Sequence, residues 1–267
     1  MRICVDLHTH SHHSLDARYS PAEMARAAAE RGLDAIAICD HNVWAIFSED
    51  RSALGVLVLP AVEYSTTAGH IIGLFMEAPP TVTPVEKHYY DPRAVVEAIH
   101  GAGGLAVAAH PFPEEDEIEK GKRRISLCDG VEVFNARAMA SRPTSTADAL
   151  AAAEGKFCTA GSDSHAPDEL GGARLYLEVE ALTADAIRQA LLRRDGVITG
   201  YPSSMGAKAR SNYKKAKTPR QKLRARGRIL LHTLWDGLRV SVMGTRYTVD
   251  LKNGSCIKQK ERRDLCR

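Results

Sequence analysis

The stretch RICVDLHTH, residues 2–10, couples an apolar segment to two histidines. Its first six residues predict a β-strand, and His8 and His10 follow that strand directly. Side chains of an extended segment alternate between its two faces, so both imidazoles lie on the same face and can bind one ion. Asp163 and His165 repeat this spacing further along the chain. Imidazole and carboxylate groups in this arrangement suit zinc, manganese or iron.

Short apolar runs alternate with amphipathic stretches through most of the chain. We predict strands at residues 2–7, 35–39, 56–62, 70–75, 105–109, 130–134 and 157–160. We predict helices at residues 21–29, 92–102, 144–154 and 183–193. The first helix opens with Ser20-Pro21-Ala22-Glu23, in which serine caps the helix and glutamate completes a capping box. The repeated order of strand and helix predicts an α/β fold with a largely parallel, barrel-like sheet.

Metal-type side chains follow five of the predicted strands. They are His8 and His10, Asp40 and His41, Glu63, His110, and Asp163 and His165. The carboxyl ends of strands in a barrel-like α/β sheet meet at one edge, where catalytic loops collect. A carboxylate such as Glu63 can bridge two ions, and ions about 4 Å apart can hold both the attacking and the leaving oxygen of a phosphoryl transfer. We expect Asp40 to support the neighbouring ligand by hydrogen bonding instead of binding metal itself.

The ordered set of these motifs resembles the PHP superfamily, named after polymerase and histidinol phosphatase. The motifs are DLHTHS at 6–11, Asp16, CDH at 39–41, Val62-Glu63, GHIIGL at 69–74, AHP at 109–111 and GSDSH at 161–165. Within the superfamily, the GHIIG segment is similar to that of small stand-alone metal-dependent phosphoesterases. The resemblance spans residues 3 to about 180. It implies a distorted seven-stranded (β/α) barrel with two or three divalent metal ions.

The resemblance also implies how nine side chains divide among these ions. One ion would be held by His8, His10, Glu63 and Asp163. A second would be held by Glu63, His70 and His110, and a third by Asp16, His41 and His165. All nine positions carry the expected residue types, which argues against a metal-free relative. Manganese, zinc and iron all fit this ligand set.

A phosphate substrate favours arginine or lysine at the rim of its site. The candidates are Arg18 in the first metal loop, Asn135 and Arg137 after a predicted strand, and Arg174 after Gly171-Gly172. We predict that these four contact substrate. A solvated surface position is the alternative for each of them.

The charge of the chain divides near residue 200. Residues 200–267 contain 18 Lys/Arg and 4 Asp/Glu, a net charge of +14, whereas residues 1–199 contain 18 basic and 29 acidic side chains, a net charge of −11. We predict a phosphoesterase domain over 1–199 and a basic C-terminal extension over 200–267. Residues 208–228 are strongly basic, residues 229–242 predict a helix or a pair of strands, and residues 247–254 predict a strand that leads into an Asn-Gly turn. The extension either docks on the acidic body or serves as an electrostatic arm for nucleic acid or nucleotides.

These observations predict metal-dependent hydrolysis of phosphate esters by a metal-activated hydroxide at a di- or trinuclear site, with His165 as a candidate proton donor. The candidate substrates are a nucleotide, an oligonucleotide or a small phosphomonoester such as histidinol phosphate. A 5′–3′ exonuclease that acts on RNA or DNA through the basic extension is one alternative. A metal-binding module without turnover is another.

The composition of the chain sets outer limits on these functions. Hydrophobic residues make up 44 % of it and charged residues 26 %, which suffices for a buried core. No apolar stretch approaches the roughly 18 residues that a membrane helix requires, and no secretory signal is apparent, so we expect a cytoplasmic protein without membrane partners. The cysteines at 4, 39, 128, 158, 256 and 266 form no Cys-x-x-Cys pair, and we expect reduced thiols.

Overall fold

The structure is a computed structural model that describes residues 1–45, 54–113, 117–139, 145–153, 155–203, 218–240 and 244–261. Its strands are β1 (Arg2–Thr9), β2 (Ala35–His41), β3 (Leu57–Thr66), β4 (Gly69–Leu74), β5 (Leu105–Ala108), β6 (Gly130–Asn135), β7 (Phe157–Gly161), β8 (Ala173–Glu178), β9 (Gly196–Gly200), β10 (Gly244–Asp250) and β11 (Ser255–Glu261). Its helices are α1 (Pro21–Glu30), α2 (Pro92–Gly101), α3 (Ile118–Leu127), α4 (Ala136–Met139), α5 (Ser145–Ala152), α6 (Ala184–Leu192) and α7 (Pro219–Val240).

All eleven described strands belong to one mixed sheet. Their spatial order is β11-β10-β9-β8-β1-β2-β3-β4-β5-β6-β7. The pairs β1/β2, β2/β3, β5/β6 and β6/β7 are parallel, and the other neighbours are antiparallel. Only two residues separate β3 from β4, which is too short for the crossover that a parallel pair requires, so this pair forms a hairpin.

The sheet curls until the segment after β7 reaches the end of β1. The amide of Asp163 donates to the carbonyl of His8 at 2.8 Å, and the amide of His10 donates to the carbonyl of Ser164 at 2.8 Å. The α/β class is therefore confirmed, and all seven predicted strands form within a curled half-barrel of eleven strands. A closed seven-stranded (β/α) barrel stays a prediction, because β8 to β11 extend the sheet beyond β1.

Side chains cap the starts of three helices, and the cap of α1 is the one that the sequence predicts. The Ser20 side chain accepts a hydrogen bond from the Glu23 amide, and the Glu23 carboxylate accepts one from the Ser20 amide, which completes the capping box of α1. The Asp91 side chain accepts hydrogen bonds from the Arg93 and Ala94 amides at the start of α2, and the Thr183 side chain accepts one from the Ala186 amide at the start of α6. These caps fix the register of the helices that cover the sheet.

Two apolar clusters hold the layers together. The larger one includes Ile3, Val5, Ile71 and Phe134 of the sheet together with buried residues of α2, α3, α5 and α6. The smaller one lies between α1 and the outer face of β1 and β2 and includes Met24. The cysteines at 4, 39, 128, 158 and 256 are unpaired in the structure, and Cys266 lies outside the described residues.

The C-terminal segment contributes two strands to the same sheet. β10 pairs with β9, and β10 and β11 form the hairpin that the Asn253-Gly254 turn predicts. Tyr247 is buried in the larger cluster, with its ring centroid 5.6 Å from that of Phe134. The segment that predicts a helix or two strands over 229–242 is helical through Val240, and the helix starts earlier, at Pro219. The predicted domain boundary at residue 200 stays a prediction.

Within the part of the chain that is described, no helix combines the length and apolar character needed to cross a membrane.

Candidate metal centre

The nine predicted ligands converge at one edge of the curled sheet. Seven of them lie at or after the carboxyl ends of β1, β2, β5 and β7, and Glu63 lies within β3, where it pairs with His41, the last residue of β2. His70 lies near the start of β4 instead, but β4 runs antiparallel to β3 and pairs Ser65 with His70, so its amino end reaches the same edge. The topology thus assembles side chains that are up to 157 positions apart in the sequence, from His8 to His165.

Local irregularities of two strands aim side chains into this cluster. The register between β1 and β2 shifts between Asp6 and Thr9, and the register between β6 and β7 shifts between Glu132 and Phe134. An extra residue in one strand bends it and redirects the neighbouring side chains. His8 lies within the first shift, and its ring reaches that of His10 with 3.2 Å between their Nε2 atoms.

The Glu63 carboxylate occupies the middle of the cluster and is buried. Its Oε1 atom lies 2.8 Å from His70 Nδ1 and 3.0 Å from His110 Nε2. Its Oε2 atom lies 3.0 Å from His41 Nδ1 and 3.4 Å from the Nε2 atoms of both His8 and His10. Five ring nitrogens therefore surround one carboxylate, as expected for a group that bridges cations.

The remaining carboxylates lie on the other side of His10. Asp163 Oδ1 is 3.3 Å from His10 Nε2, and Asp16 Oδ2 is 3.2 Å from His165 Nε2. Nδ1 of His165 lies 2.9 Å from the carbonyl of Asp163, so it is placed to donate there and leave Nε2 facing Asp16. Two acceptors 3.2 Å apart repel unless a proton or a cation lies between them.

Four groups of three side chains place one ligand atom each close enough to hold a metal ion. They are His10, His41 and His165; His8, His10 and Glu63; His8, His110 and Asp163; and His41, Glu63 and His70. These groups contain eight of the nine predicted ligands, and Asp16 adjoins the first of them through His165. The division of the nine ligands among three ions stays a prediction.

The donor atoms fit a divalent cation better than they fit one another. Glu63 Oε2 and His41 Nδ1 are both buried and 3.0 Å apart, yet neither makes a hydrogen bond among the described residues. A buried carboxylate oxygen without such a bond is costly, and a cation among the surrounding ring nitrogens would remove that cost. The residues present therefore fit the metals that the resemblance implies.

Electrostatic coupling within the cluster perturbs its titration. Burial raises the pKa of Glu63, but the imidazoles of His70, His8 and His41 together hold it well below its usual range. Burial lowers the pKa of His8, and the carboxylates of Glu132, Glu63 and Asp163 outweigh burial and raise it well above its usual range. Burial and the neighbouring His165 lower the pKa of His10 to about 4. Charges this strongly coupled are typical of functional sites.

Two candidate ligands adopt left-handed backbone conformations. The φ angle is 26° at His110 and 55° at Asp163. Side chains with a Cβ rarely adopt positive φ, and such strain is found mostly where a side chain must be held in one place. The Arg137 guanidinium stabilises the second of these turns, since its Nε donates to the Asp163 carbonyl at 2.9 Å.

Asp40 contacts the cluster indirectly, through the hydroxyl group of Ser14. Its carboxylate accepts hydrogen bonds from the amide and hydroxyl groups of both Ser11 and Ser14. The Ser14 hydroxyl in turn lies 3.2 Å from His10 Nδ1 and accepts a hydrogen bond from the His41 amide. The predicted supporting role of Asp40 thus reaches two ligands indirectly.

Glu132 is a carboxylate of the cluster that the sequence did not predict. Its Oε1 atom lies 2.9 Å from His8 Nδ1, and its Oε2 atom accepts hydrogen bonds from the His110 amide at 2.7 Å and the Asn135 side chain at 3.0 Å. A carboxylate on one ring nitrogen fixes the tautomer of the histidine and directs its other nitrogen to the metal. Gly161 leaves the space for this contact, because a Cβ there would lie 2.1 Å from the Cβ of His8.

Asp6 is a further buried carboxylate beside the cluster, after Asp40 and Glu132. It accepts hydrogen bonds from the amides of Ser162 and Gly171, at 2.9 and 3.1 Å, and so joins β1 to the segment that carries Asp163. Burial raises its pKa to about 6.

The four predicted substrate contacts lie in different environments. Arg18 is exposed in the loop that follows β1. The Asn135 side chain is buried and already engaged by Glu132 and the Ala138 amide, so its amide is a support of the site and not a free rim group. Arg137 binds the Asp163 carbonyl and the Glu169 carboxylate.

Arg174 is not brought to the cluster. Its guanidinium lies 3.8 Å from the Cys4 sulfur and donates to the Arg31 carbonyl at 2.8 Å. The reason is register: β8 pairs antiparallel with β1, and the side chain of Arg174 lies on the outer face that Cys4 also occupies.

The fold and the site together define a class, the α/β proteins with a histidine- and carboxylate-rich metal centre at one edge of a curled sheet. A family model described as PHP domain matches residues 6–109, and one described as PHP-associated matches residues 142–195. An uncharacterized protein of Methanocaldococcus jannaschii is 34 % identical over 147 residues, which cover 49 % of this chain and 81 % of that protein. The chain belongs to the PHP family.

Three solved structures share the fold with a TM-score of 0.52 each. PsfC from Pseudomonas syringae is 17 % identical, with coverage of 88 % of this chain and 97 % of that one. An amidohydrolase from Chromobacterium violaceum is 21 % identical, with coverage of 70 % and 95 %. The lesion-specific endonuclease PfuEndoQ from Pyrococcus furiosus is 19 % identical, with coverage of 72 % and 56 %. Members of the PHP family are generally metal-binding hydrolases that act on phosphoester bonds.

Proposed function

We propose that this protein hydrolyses phosphate esters with two or three divalent ions held by the nine-residue cluster. The observation that carries the proposal is Glu63, a buried carboxylate surrounded by five imidazoles whose Oε2 atom has no hydrogen bond among the described residues. When bound, the ions supply Lewis acidity, which makes water more acidic and withdraws charge from phosphate oxygens. Manganese, zinc and iron are all compatible with these ligands.

The exposure of the ligands indicates the side from which substrate approaches. The side chains of His8, His10 and Glu63 are 0 to 1 % exposed, whereas those of His41 and His70 are 26 and 32 % exposed. A phosphate group therefore reaches the cluster over His41 and His70. The substrate would be a nucleotide, an oligonucleotide or a small phosphomonoester.

We propose that His165 is a metal ligand, and proton donation is the alternative role. Its Nδ1 is placed to donate to the Asp163 carbonyl, so Nε2 either binds a cation together with Asp16 or holds a proton. A proton on Nε2 could be passed to the leaving oxygen of the ester.

The test of this function is a panel of paired phosphomonoesters and phosphodiesters, assayed with and without Mn²⁺. The panel includes histidinol phosphate, nucleoside monophosphates and short oligonucleotides. Glu63→Gln, which keeps the size of the side chain and removes its charge, is the site variant, and Glu97→Gln on the exposed face of α2 is the matched control. We expect metal-dependent turnover that Glu63→Gln abolishes and Glu97→Gln retains. Retained metal without hydrolysis of any ester would instead favour a binding module without turnover.

The second candidate function is a 5′–3′ exonuclease, which the exposed basic face of α7 favours. Arg220, Arg224 and Arg228 are spaced four residues apart and are all exposed, so they form one row on the helix. Each phosphate contact with single-stranded nucleic acid contributes about −0.7 to the slope of log affinity against log salt. Deletion of the basic residues 206–267 would not test nucleic-acid binding by α7 alone, because it would also remove Tyr247, which is buried in the core.

The sharper test neutralises the basic row without touching the core. In the double variant Arg224→Gln with Arg228→Gln, we expect a salt slope for single-stranded DNA that is smaller by about 1.4. Arg93→Gln with Arg123→Gln, two exposed arginines on α2 and α3, is the matched control. If the double variant lost turnover of oligonucleotides and of a small chromogenic ester to the same extent, the proposal that the basic row of α7 binds nucleic acid would be wrong.

A further inference from the structure

A buried arginine lies behind the metal centre and has no role in the hydrolysis described so far. Arg124, near the C-terminal end of α3, is only 3 % exposed. An arginine is almost never buried this deeply unless a carboxylate pairs with it. Among the described residues, however, the Arg124 guanidinium is held by backbone carbonyl groups and by no carboxylate. Charge pairing therefore does not explain its place in the core.

The guanidinium joins two turns of the backbone. Its Nη1 donates to the Ala68 carbonyl at 2.6 Å, and its Nη2 donates to the carbonyls of Ala109 and His110 at 3.1 and 3.4 Å. Ala68 belongs to the turn between β3 and β4, and Ala109 follows β5 directly. Because a guanidinium presents its N–H groups in one rigid plane, it fixes the distance between the carbonyls that it contacts. Arg124 therefore sets the spacing of these two turns.

Each of the two turns carries a candidate metal ligand. His70 comes two residues after Ala68, and His110 comes directly after Ala109. Their rings contact the same oxygen of Glu63, since Oε1 lies 2.8 Å from His70 Nδ1 and 3.0 Å from His110 Nε2. The other three imidazoles around this carboxylate are closest to Oε2 instead. The guanidinium thus holds the backbone of the Oε1 side of the cluster.

Both turns contain left-handed backbone, which needs support from its surroundings. The φ angle is 99° at Gly69 and 26° at His110. A residue with a Cβ at positive φ is strained, and it keeps that conformation only where neighbouring contacts impose it. At Gly69 the side chain must be absent, because a Cβ there would overlap the Nη1 atom of Arg124. The glycine therefore leaves the space into which the guanidinium reaches.

α3 lies close against the segment that carries His110. A Cβ at Gly121 would clash with the Pro111 carbonyl and the Phe112 ring. Gly121 comes three residues before Arg124 and so lies on the same face of the helix. Without a side chain at this position, the helix approaches the segment closely enough for the guanidinium to reach its carbonyls.

We propose that Arg124 is a positioning residue of the metal centre, which holds His70 and His110 at the spacing that lets both imidazoles face Glu63 Oε1. It acts through the backbone of these two histidines and not by contact with the substrate. Groups that orient metal ligands are typically needed for full metal affinity. The inference rests on the proposed function, because it requires that the cluster binds metal. A change at Arg124 should therefore perturb the Oε1 side of the cluster selectively.

The test compares Zn²⁺ binding by the full-length wild type, Arg124→Lys and the matched control Arg123→Lys, which changes an exposed arginine on the same helix. Lysine keeps the charge but replaces the two Nη atoms by a single nitrogen. Competition with a chromogenic chelator gives the dissociation constants. We expect Arg124→Lys to weaken Zn²⁺ binding about tenfold, the lower end of the loss that follows removal of a supporting contact. Arg123→Lys should bind like the wild type.

The second measurement is the side-chain ¹⁵N spectrum of histidine-labelled protein with Zn²⁺, which reports each imidazole separately. In Arg124→Lys we expect altered signals for His70 and His110, whereas His41 and His165 should keep their wild-type signals. A uniform change of all imidazole signals would overturn the proposal. So would lower thermal stability of the metal-free variant at unchanged Zn²⁺ affinity, because Arg124 would then support the fold alone.

Gly69→Ala tests the same contact from the turn and guards against loss of folding in Arg124→Lys. Its methyl group would displace the guanidinium from the Ala68 carbonyl, and we expect the same selective change of the His70 and His110 signals. Unchanged signals in either folded variant, next to a wild type that binds Zn²⁺, would overturn this inference alone. A wild type that binds no Zn²⁺ would refute the proposed function together with the inference.

Discussion

Replacement of Glu132 by glutamine should weaken metal binding without unfolding the protein. The wild-type carboxylate faces donors on both sides, His8 Nδ1 at 2.9 Å and the His110 amide at 2.7 Å. A glutamine has only one acceptor oxygen, so its NH₂ group must face one of these two donors. If the NH₂ group faces His8, the Nδ1 atom must accept, and the proton moves to Nε2, which is the nitrogen that points to Glu63 and His10.

The expected magnitude follows from the cost of losing such a partner, which is typically 10- to 100-fold in metal affinity, or about 1.4 to 2.8 kcal/mol. The assay is competition of Mn²⁺ and Zn²⁺ between the protein and a chromogenic chelator, with Glu97→Gln as the matched control. Circular dichroism of the metal-free variant checks that it is folded. An unchanged dissociation constant in a folded Glu132→Gln protein would refute the role assigned to this carboxylate.

Three further predictions concern the close packing at Gly161, the cap of α1 and the pH dependence of metal binding. Gly161→Ala would place a Cβ 2.1 Å from the Cβ of buried His8, and we expect about 1 to 3 kcal/mol lower stability by denaturant unfolding, together with weaker metal binding; an unaltered midpoint would contradict this. Ser20→Ala removes the cap of α1 and should cost about 1 kcal/mol in the same assay, whereas no change would mean that the helix is held by packing alone. Because carboxylates raise the pKa of His8 well above its usual range and a ligating histidine must be neutral, Mn²⁺ affinity should fall as the pH is lowered from about 8 to about 6, with proton release in calorimetry; a flat profile would exclude His8 as a ligand.

The sequence was informative about the site because the ligands follow strands. His8, His41, Glu63 and Asp163 each come at or just after the end of an apolar run, and the α/β order of the elements brings those ends to one edge. Without the resemblance to the PHP superfamily, His70 would be interpreted as a buried core histidine, because it lies in an otherwise apolar strand. Its place at the edge follows from the β3/β4 hairpin.

Glu132 was not predicted because its partners are distant in the sequence. It lies inside the apolar segment GVEVFN, and its contact with His8 spans 124 positions and depends on register shifts in two strands. A charged residue within a buried strand is a signal that could have indicated it, because such a residue is rarely buried without a partner.

The position of Arg174 could not be read from its neighbours in the sequence either. Gly171-Gly172 suggested a loop at the rim, but Arg174 already belongs to β8, and the antiparallel pairing with β1 puts its side chain on the outer face. β8 and β9 were missed because each is short and has alternating buried and half-exposed residues, a pattern that six or five residues carry weakly.

The central claim is tested most directly by the metal content of the purified protein, measured by elemental analysis of the wild type and of Glu63→Gln after reconstitution with Mn²⁺ or Zn²⁺. We predict two or three ions per wild-type chain and at least one ion fewer in Glu63→Gln, because the wild-type Glu63 carboxylate contacts five imidazoles. A wild-type protein that retains no metal after reconstitution would contradict the account, because the cluster would then be an inherited arrangement of side chains without the ions that hydrolysis requires.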